Sequence, residues 1–404
     1  MTAGPAVDAR RGVVLYVLLT LLLALQPAST DLYLPSLPDI RAAFGVTTGT
    51  VQLTLSGFTA VFAVASLVYG PLSDRYGRRP VLRAALALYA VGTLGCVLAQ
   101  DVGQLVAFRM VQAAGASAAP TLARAVVRDL HDRDRGASVL SYMTFAMTFV
   151  PILAPPLGGV LVDLFGWRSA FVALLAFGAV VLVGTWTVLP ETNAFRDPGA
   201  TRIAPLIAGY RSLLSSRTYL GYALCPTVSY SGIFAYISGS SFVLIETVGL
   251  SPVEYGIAFG VTVSGYLLGT FLGGRFATRI GTLALVRTGA MLAFAGGATA
   301  VASALTMPPS VVAIVLPIWL YNTGAGFLLP GGFAGCVAAF PRIAGTASAL
   351  AVAMQLTAGT IVGLLVGAFH DGSAMPHSLA ALLAGTVGIL ATRGLLRRER
   401  AVAP

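Results

Sequence analysis

The stretch Gly70-Pro-Leu-Ser-Asp-Arg-Tyr-Gly-Arg-Arg-Pro-Val-Leu82 sets Asp74, Arg75, Arg78 and Arg79 between two apolar runs, 50–72 and 81–100. Each run has the length of a bilayer-crossing helix, about 20 residues, so the charged stretch reads as a short turn at a membrane face. Gly70 and Gly77 permit close helix approach and a tight turn, while Asp74 can bond a helix N-terminus or pair with an arginine. The rest of the chain has the same character. Of its 404 residues 57% are apolar and only 10% are charged, against about 25% charged in soluble domains, and the mean hydropathy is +0.85. Apolar runs at 12–35, 50–72, 81–100, 103–124, 137–162 and 168–189 precede a polar connection, and six more follow at 218–244, 254–277, 284–305, 311–335, 343–368 and 377–393. The expectation is an all-α membrane protein of twelve transmembrane helices.

With the N-terminus placed in the cytoplasm, the turns on that side collect all but three of the 25 basic residues; Arg41 and Arg168 fall outside and Arg109 inside a span. This is the asymmetry of the positive-inside rule, and it predicts a multi-pass protein of a bacterial inner membrane with both termini cytoplasmic. Gly70, Arg75 and Gly77 recur 204 residues later as Gly274, Arg279 and Gly281, with Thr278 in place of Asp74. The same offset brings the spans into register as six plus six. The expected organisation is a six-helix half over 1–190, a cytoplasmic linker over 191–217 and a second six-helix half over 218–404. Parallel six-span halves are an architecture of secondary transporters, with the substrate site between them near the midplane.

Composition removes other classes. Every basic residue is an arginine, which excludes a Walker phosphate lysine, a Schiff-base lysine and a lysine nucleophile. Cys96, Cys225 and Cys336 lie far apart in apolar runs and read as small core residues, without disulfide or metal spacing. The net charge of +10 is topological, and no loop sets it beside stacking aromatics, so no nucleic-acid partner is expected. No nucleophile, acid-base pair, metal set or cofactor site is apparent, so no enzyme is expected. Glu246, Glu254, His131, His370 and His377 are expected at turns or loops on the surface.

The charged turn resembles the signature loop of the major facilitator superfamily at nearly every position, which implies a conformational latch made by Gly70, Asp74, Arg75, Gly77, Arg78 and Arg79. The fifth run holds Pro151-Ile-Leu-Ala-Pro-Pro-Leu-Gly-Gly159, similar to the superfamily's antiporter motif. Pro151, Ala154, Pro155, Gly158 and Gly159 there are expected to bend the helix and pack it tightly. Arg109-Met-Val-Gln-Ala-Ala-Gly115 resembles the motif whose arginine is linked to proton transfer. Ser29-Thr-Asp-Leu-Tyr-Leu-Pro-Ser-Leu-Pro38, with Val111 to Ala118, resembles the Bcr/CflA branch of drug:proton antiporters, named for bicyclomycin and chloramphenicol resistance. Asp31 lies about 30 Å along its helix, a depth that Arg109 on the antiparallel fourth span can share. Facing each other, Asp31 would carry the proton and Arg109 would tune it.

The second half carries no acid well inside its spans. Its cavity candidates are Tyr230, Phe234, Tyr236, Ser238, Tyr266, Trp319, Asn322, Met354 and Gln355, joined by Gln112 from the first half. Aromatics, methionine and amides suit an adaptable site for apolar molecules bearing one or two polar groups. The resemblance implies a monomeric, proton-coupled exporter of lipophilic drug-like compounds, working by alternating access in the bilayer without a cofactor. An exporter of one metabolite, such as an amino acid or siderophore, fits the same residues, and a receptor or scaffold that does not transport is the rival from another class.

Overall fold

The computed structural model describes residues 9–193, 203–340 and 343–396. Arg196, Arg202, Arg342, Arg397, Arg398 and Arg400, and part of the expected linker, lie outside them. The described residues are helical throughout, without strands. The first half contains α1 (Ala9–Asp31), α2 (Leu37–Phe44), α3 (Thr48–Tyr76), α4 (Arg78–Leu98), α5 (Val102–Ala116), α6 (Ala118–Leu130), α7 (Arg133–Met147), α8 (Val150–Phe165) and α9 (Arg168–Thr187). After α10 (Ile203–Leu214) come α11 (Arg217–Ser241), α12 (Pro252–Thr306), α13 (Val311–Ala339), α14 (Ala344–Ala368) and α15 (Met375–Leu390). Lipid supplies no hydrogen bonds to the backbone, so such a chain satisfies its N–H and C=O groups within helices.

Among the described residues eleven segments are long and apolar enough to cross a membrane. The expected fourth span is α5 followed by α6, made more polar by Arg109 and Gln112. Ser117 joins the two with helical torsion angles and donates its N–H to Ala113, so the path continues. The first span runs further than expected, to Phe44. Asp31 therefore lies inside it, followed by the buried Leu32, Tyr33, Leu34, Leu37 and Ile40. The connection expected as a polar linker contains α10, which packs on α11 and α14.

Arg75, Arg78, Arg79 and Arg279 mark one end of the bundle, here termed the basic end, and the turns bearing Arg41 and Arg168 mark the far end. At the far end the halves meet closely. α8 packs along α12 and α3 along α14. A side chain at Gly159 would collide with the Pro252 carbonyl, one at Gly256 with Pro155 and Pro156, and one at Gly367 with Gln52. Arg41 bridges the halves there by a 2.9 Å ion pair to Glu246, a half-exposed contact of the kind that contributes about 0–1 kcal/mol. In the neighbouring turn Ser373 donates to Asp371 and holds its carboxyl below the usual range. Towards the basic end α7 continues the path of α8 yet packs on α1 and α6 of its own half.

The two charged turns share one backbone device. Gly77 has φ 101°, ψ 155°, and Gly281, which breaks α12 between two spans, has φ 77°, ψ 161°. This region is open essentially to glycine alone, so the sequence recurrence is also a conformational one. A side chain at 77 would in addition strike Glu191, whereas nothing lies within 4 Å of one at 281. Gly281→Ala isolates the backbone term and is expected to cost about 1–3 kcal/mol. The reading is a fall of several degrees in apparent melting temperature in detergent, and an unchanged value would show that the turn relaxes without strain.

Candidate functional site

Arg109 is the largest fully buried side chain of the protein. Its guanidinium donates to the Ser29 carbonyl at 3.0 Å, to Gln112 Oε1 at 2.6 Å and, at 3.4 Å, to the Thr54 carbonyl. The Tyr33 and Phe58 rings each lie 4.3 Å from it, close enough for cation–π attraction. Gln112 passes the network on to Thr93, and Tyr89 bonds Ser29. Helices α1, α3, α4 and α5 are thus tied together through one buried cation, which does not snorkel to an interface. Gln112, expected in the substrate cavity, instead has its amide engaged inside the first half.

Asp31 ends α1 and is 4% exposed. Thr30 Oγ1 donates to its Oδ1 at 2.9 Å, and among the described residues it has no ion-pair partner. The expected meeting with Arg109 does not occur. Arg109 touches the Ser29 carbonyl and the Tyr33 ring, and along α1 the Asp31 side chain points about 200° away from that of Ser29, with Tyr33 following in the turn beyond the helix. Asp31 faces the second half instead, within electrostatic reach of the Tyr230 and Tyr255 phenols. Tyr230 packs against the cores of both halves and stacks on Phe234 at 5.6 Å.

The other candidates divide. Phe234 and Ser238 line the approach of α11 to Gly363 of α14, and Met354 and Gln355 lie half-buried on α14. Tyr266, Trp319 and Asn322 follow the seam of α12 and α13, where Trp319 Nε1 donates to Ser264 and Asn322 Nδ2 to the Thr262 carbonyl. Tyr236 stacks on Phe259 and meets His377 edge-on. His377, expected in a loop, is buried in α15 because that helix begins two residues before it. His131 bonds Tyr16 at the basic end, and Glu254 closes a capping box with Ser251. Sequence reading passed over Tyr255, whose only signal is its place in the first turn of a span.

The charged turn is engaged within its own half. Arg78 pairs with Asp74 and with Asp129, Glu191 accepts the N–H groups of Arg78 and Arg79, and Arg79 and Arg83 both donate to the Trp186 carbonyl. Gly70 lies in α3, and Arg75 sets its guanidinium over Tyr76. The fifth-span motif forms the seam between the halves. Ala154, Pro155, Gly158 and Gly159 are buried on one stripe of α8, where a side chain at Gly158 would strike the Leu32 carbonyl of the first span. Pro151 sits half-buried in the first turn of α8.

Residues 19–364 match the Major Facilitator Superfamily. Over 385 residues, 95% of each chain, the protein is 32% identical to the uncharacterized MFS-type transporter YdgK of Bacillus subtilis. It is 27% identical to a bicyclomycin resistance protein homolog of Haemophilus influenzae, covering 89% of this chain and 90% of that one. Among solved structures, a bacterial homolog of the human lysosomal transporter Spinster superposes with a TM-score of 0.76 at 18% identity, covering 99% of this chain and 100% of that one.

Arg109→Lys tests the buried network. Lysine keeps the charge but loses the planar fork that reaches Ser29 and Gln112 and lies between two rings, leaving buried acceptors unpaired at about 1–3 kcal/mol each. A clear drop in apparent melting temperature is expected, and wild-type stability would show that the guanidinium does not hold these helices.

Proposed function

The chain belongs to the Major Facilitator Superfamily, a transporter of small molecules and not an enzyme, and from that premise we propose that it exports lipophilic drug-like compounds in exchange for protons. The observation that carries this reading is Asp31. It is a carboxyl group buried between the halves with a single hydroxyl donor and no cation beside it. A charge so placed is expensive in a membrane protein and marks an ion pathway by default. A proton compensates it without any rearrangement of side chains.

The positive-inside rule supports a cytoplasmic basic end, with both termini there, in a bacterial inner membrane. On that orientation the halves are closed to the outside. Alternating access then requires the glycine and proline seam of α8, α12, α3 and α14 to open while the basic ends come together. A proton moving through about 100 mV supplies roughly 2.3 kcal/mol, enough for about 50-fold accumulation. The resistance name of the Haemophilus relative supports a drug-like cargo. Arg109 acts as a positioning residue in this scheme, holding Ser29 and Tyr33 so that Asp31 is turned towards Tyr230 and Tyr255. Asp74 is proposed to leave Arg78 and bridge to the second half when the basic end closes.

Two outcomes are expected. In everted vesicles Asp31→Asn removes proton release on addition of substrate and removes dye efflux, while the protein still elutes and melts as wild type. Efflux at the wild-type rate would take Asp31 out of the mechanism. Asp74→Asn shifts the balance of states, read as lower reactivity of cysteines placed along the far-end seam; an unchanged pattern in an inactive variant would count against the latch.

A further inference from the structure

The contact that ties the halves at the far end is built around one ring. Phe242 begins the helical turn Phe242–Thr247 that extends α11 and is fully buried. The Arg41 guanidinium of the first half lies 5.8 Å from its centre, and the imidazole of His370, in the turn between α14 and α15, lies 5.5 Å from it. Arg41 is held from both sides, donating to Thr48 of its own half at 3.2 Å and pairing with Glu246 of the second. The turn that bears His370 is fixed to the same place, because Thr247 donates to the Gly372 carbonyl at 2.7 Å and Ser373 to Asp371. A half-buried titratable ring thus sits beside an ion pair that crosses from one half to the other.

The charges around His370 divide by half. Asp371, next to it in the chain, and Glu246 belong to the second half, as does His377 of α15, which feels the charge of His370. Among the charges that act on His370, Arg41 alone comes from the first half. Burial holds the imidazole below the usual histidine range; Asp371 acts against this and Arg41 adds to it. When the halves separate, Arg41 leaves with α2 while the groups of the second half stay. A proton then binds His370 more readily, and by linkage a bound proton favours separation. The effect is confined to pH below the usual histidine value of about 6.5, because at higher pH the ring is neutral in both states.

We propose that His370 is a proton-sensing switch on the far-end closure: charged, it opposes Arg41 across Phe242 and weakens the contact that Arg41 makes with Glu246. The meaning of the switch rests on the transport reading above. On that reading the far end faces outside, and opening it when protons are abundant there admits the proton that Asp31 carries. His370 binds neither cargo nor that proton; it biases the equilibrium between the two states.

Distances between spin labels read the switch without transport. Gln100 and Met307 are exposed in far-end turns of the first and second half, and the native cysteines are all buried, so Gln100→Cys with Met307→Cys places one label on each half. Asp31→Asn in the same chain removes the proton of the transport site. In nanodiscs, lowering the pH from about 8 to about 5.5, across the histidine range, is expected to raise the ratio of long to short distances about 3-fold, the scale of a partly screened repulsion between two unit charges. His370→Gln should abolish the rise. Arg41→Gln should abolish it while raising the ratio at every pH, and Arg41→Lys should preserve it. A ratio indifferent to pH in the parent, or a rise that survives either His370→Gln or Arg41→Gln, would overturn the proposal. The readout needs no cargo and no gradient, so the switch can fail while the vesicle experiment upholds proton-coupled export, and the reverse.

Discussion

A guanidinium with no access to water organises the first half. Arg109 is neutralised by no carboxylate; two backbone carbonyls, one amide and two ring faces share its charge. Those groups come from α1, α3 and α5, so the cation fixes the rotation of α1 about its own axis. That rotation turns Asp31 away from Arg109 and towards the second half. Among the described residues Asp31 consequently makes no ion pair with Arg109. Had the two formed a pair, each would have quenched the other, and breaking it would cost several kcal/mol.

The contact between the halves is made in the opposite manner, from residues that offer almost no side chain. Glycine and proline of α8 and α12 and glycine of α3 and α14 bring backbone against backbone. Where lipid removes the hydrophobic drive between helices, close packing of small residues is the available adhesive. Such a contact brings backbones close without strong bonds, which suits a surface that separates in the proposed cycle. Arg41 and Glu246 add only a half-exposed pair at its rim.

The helical spans and the gathering of arginines at one end of the bundle were legible in the sequence because they depend on periodic apolar length and on where arginines fall. The matching torsion angles of Gly77 and Gly281 are the physical content of the recurrence at 204 residues. Depth along a helix was legible too, since Asp31 and Arg109 do share a level. Direction was overlooked, although the phase of Ser29 and Asp31 on one helix contains it. The burial of His377 was not legible, because the start of α15 depends on how its turn packs on α11.

The closure of the halves at the far end has an electrical consequence. Water entering from the basic end carries the potential of that compartment up to the point where the halves close, so the membrane voltage falls over the remaining sealed layer and not over the full 30 Å of hydrocarbon. A charge resting beneath the seam has then crossed little of the field. In the proposed cycle the halves rock, the sealed layer moves to the other side of that charge and the field is swept past it, so that electrical work is done on a charge that has not itself travelled.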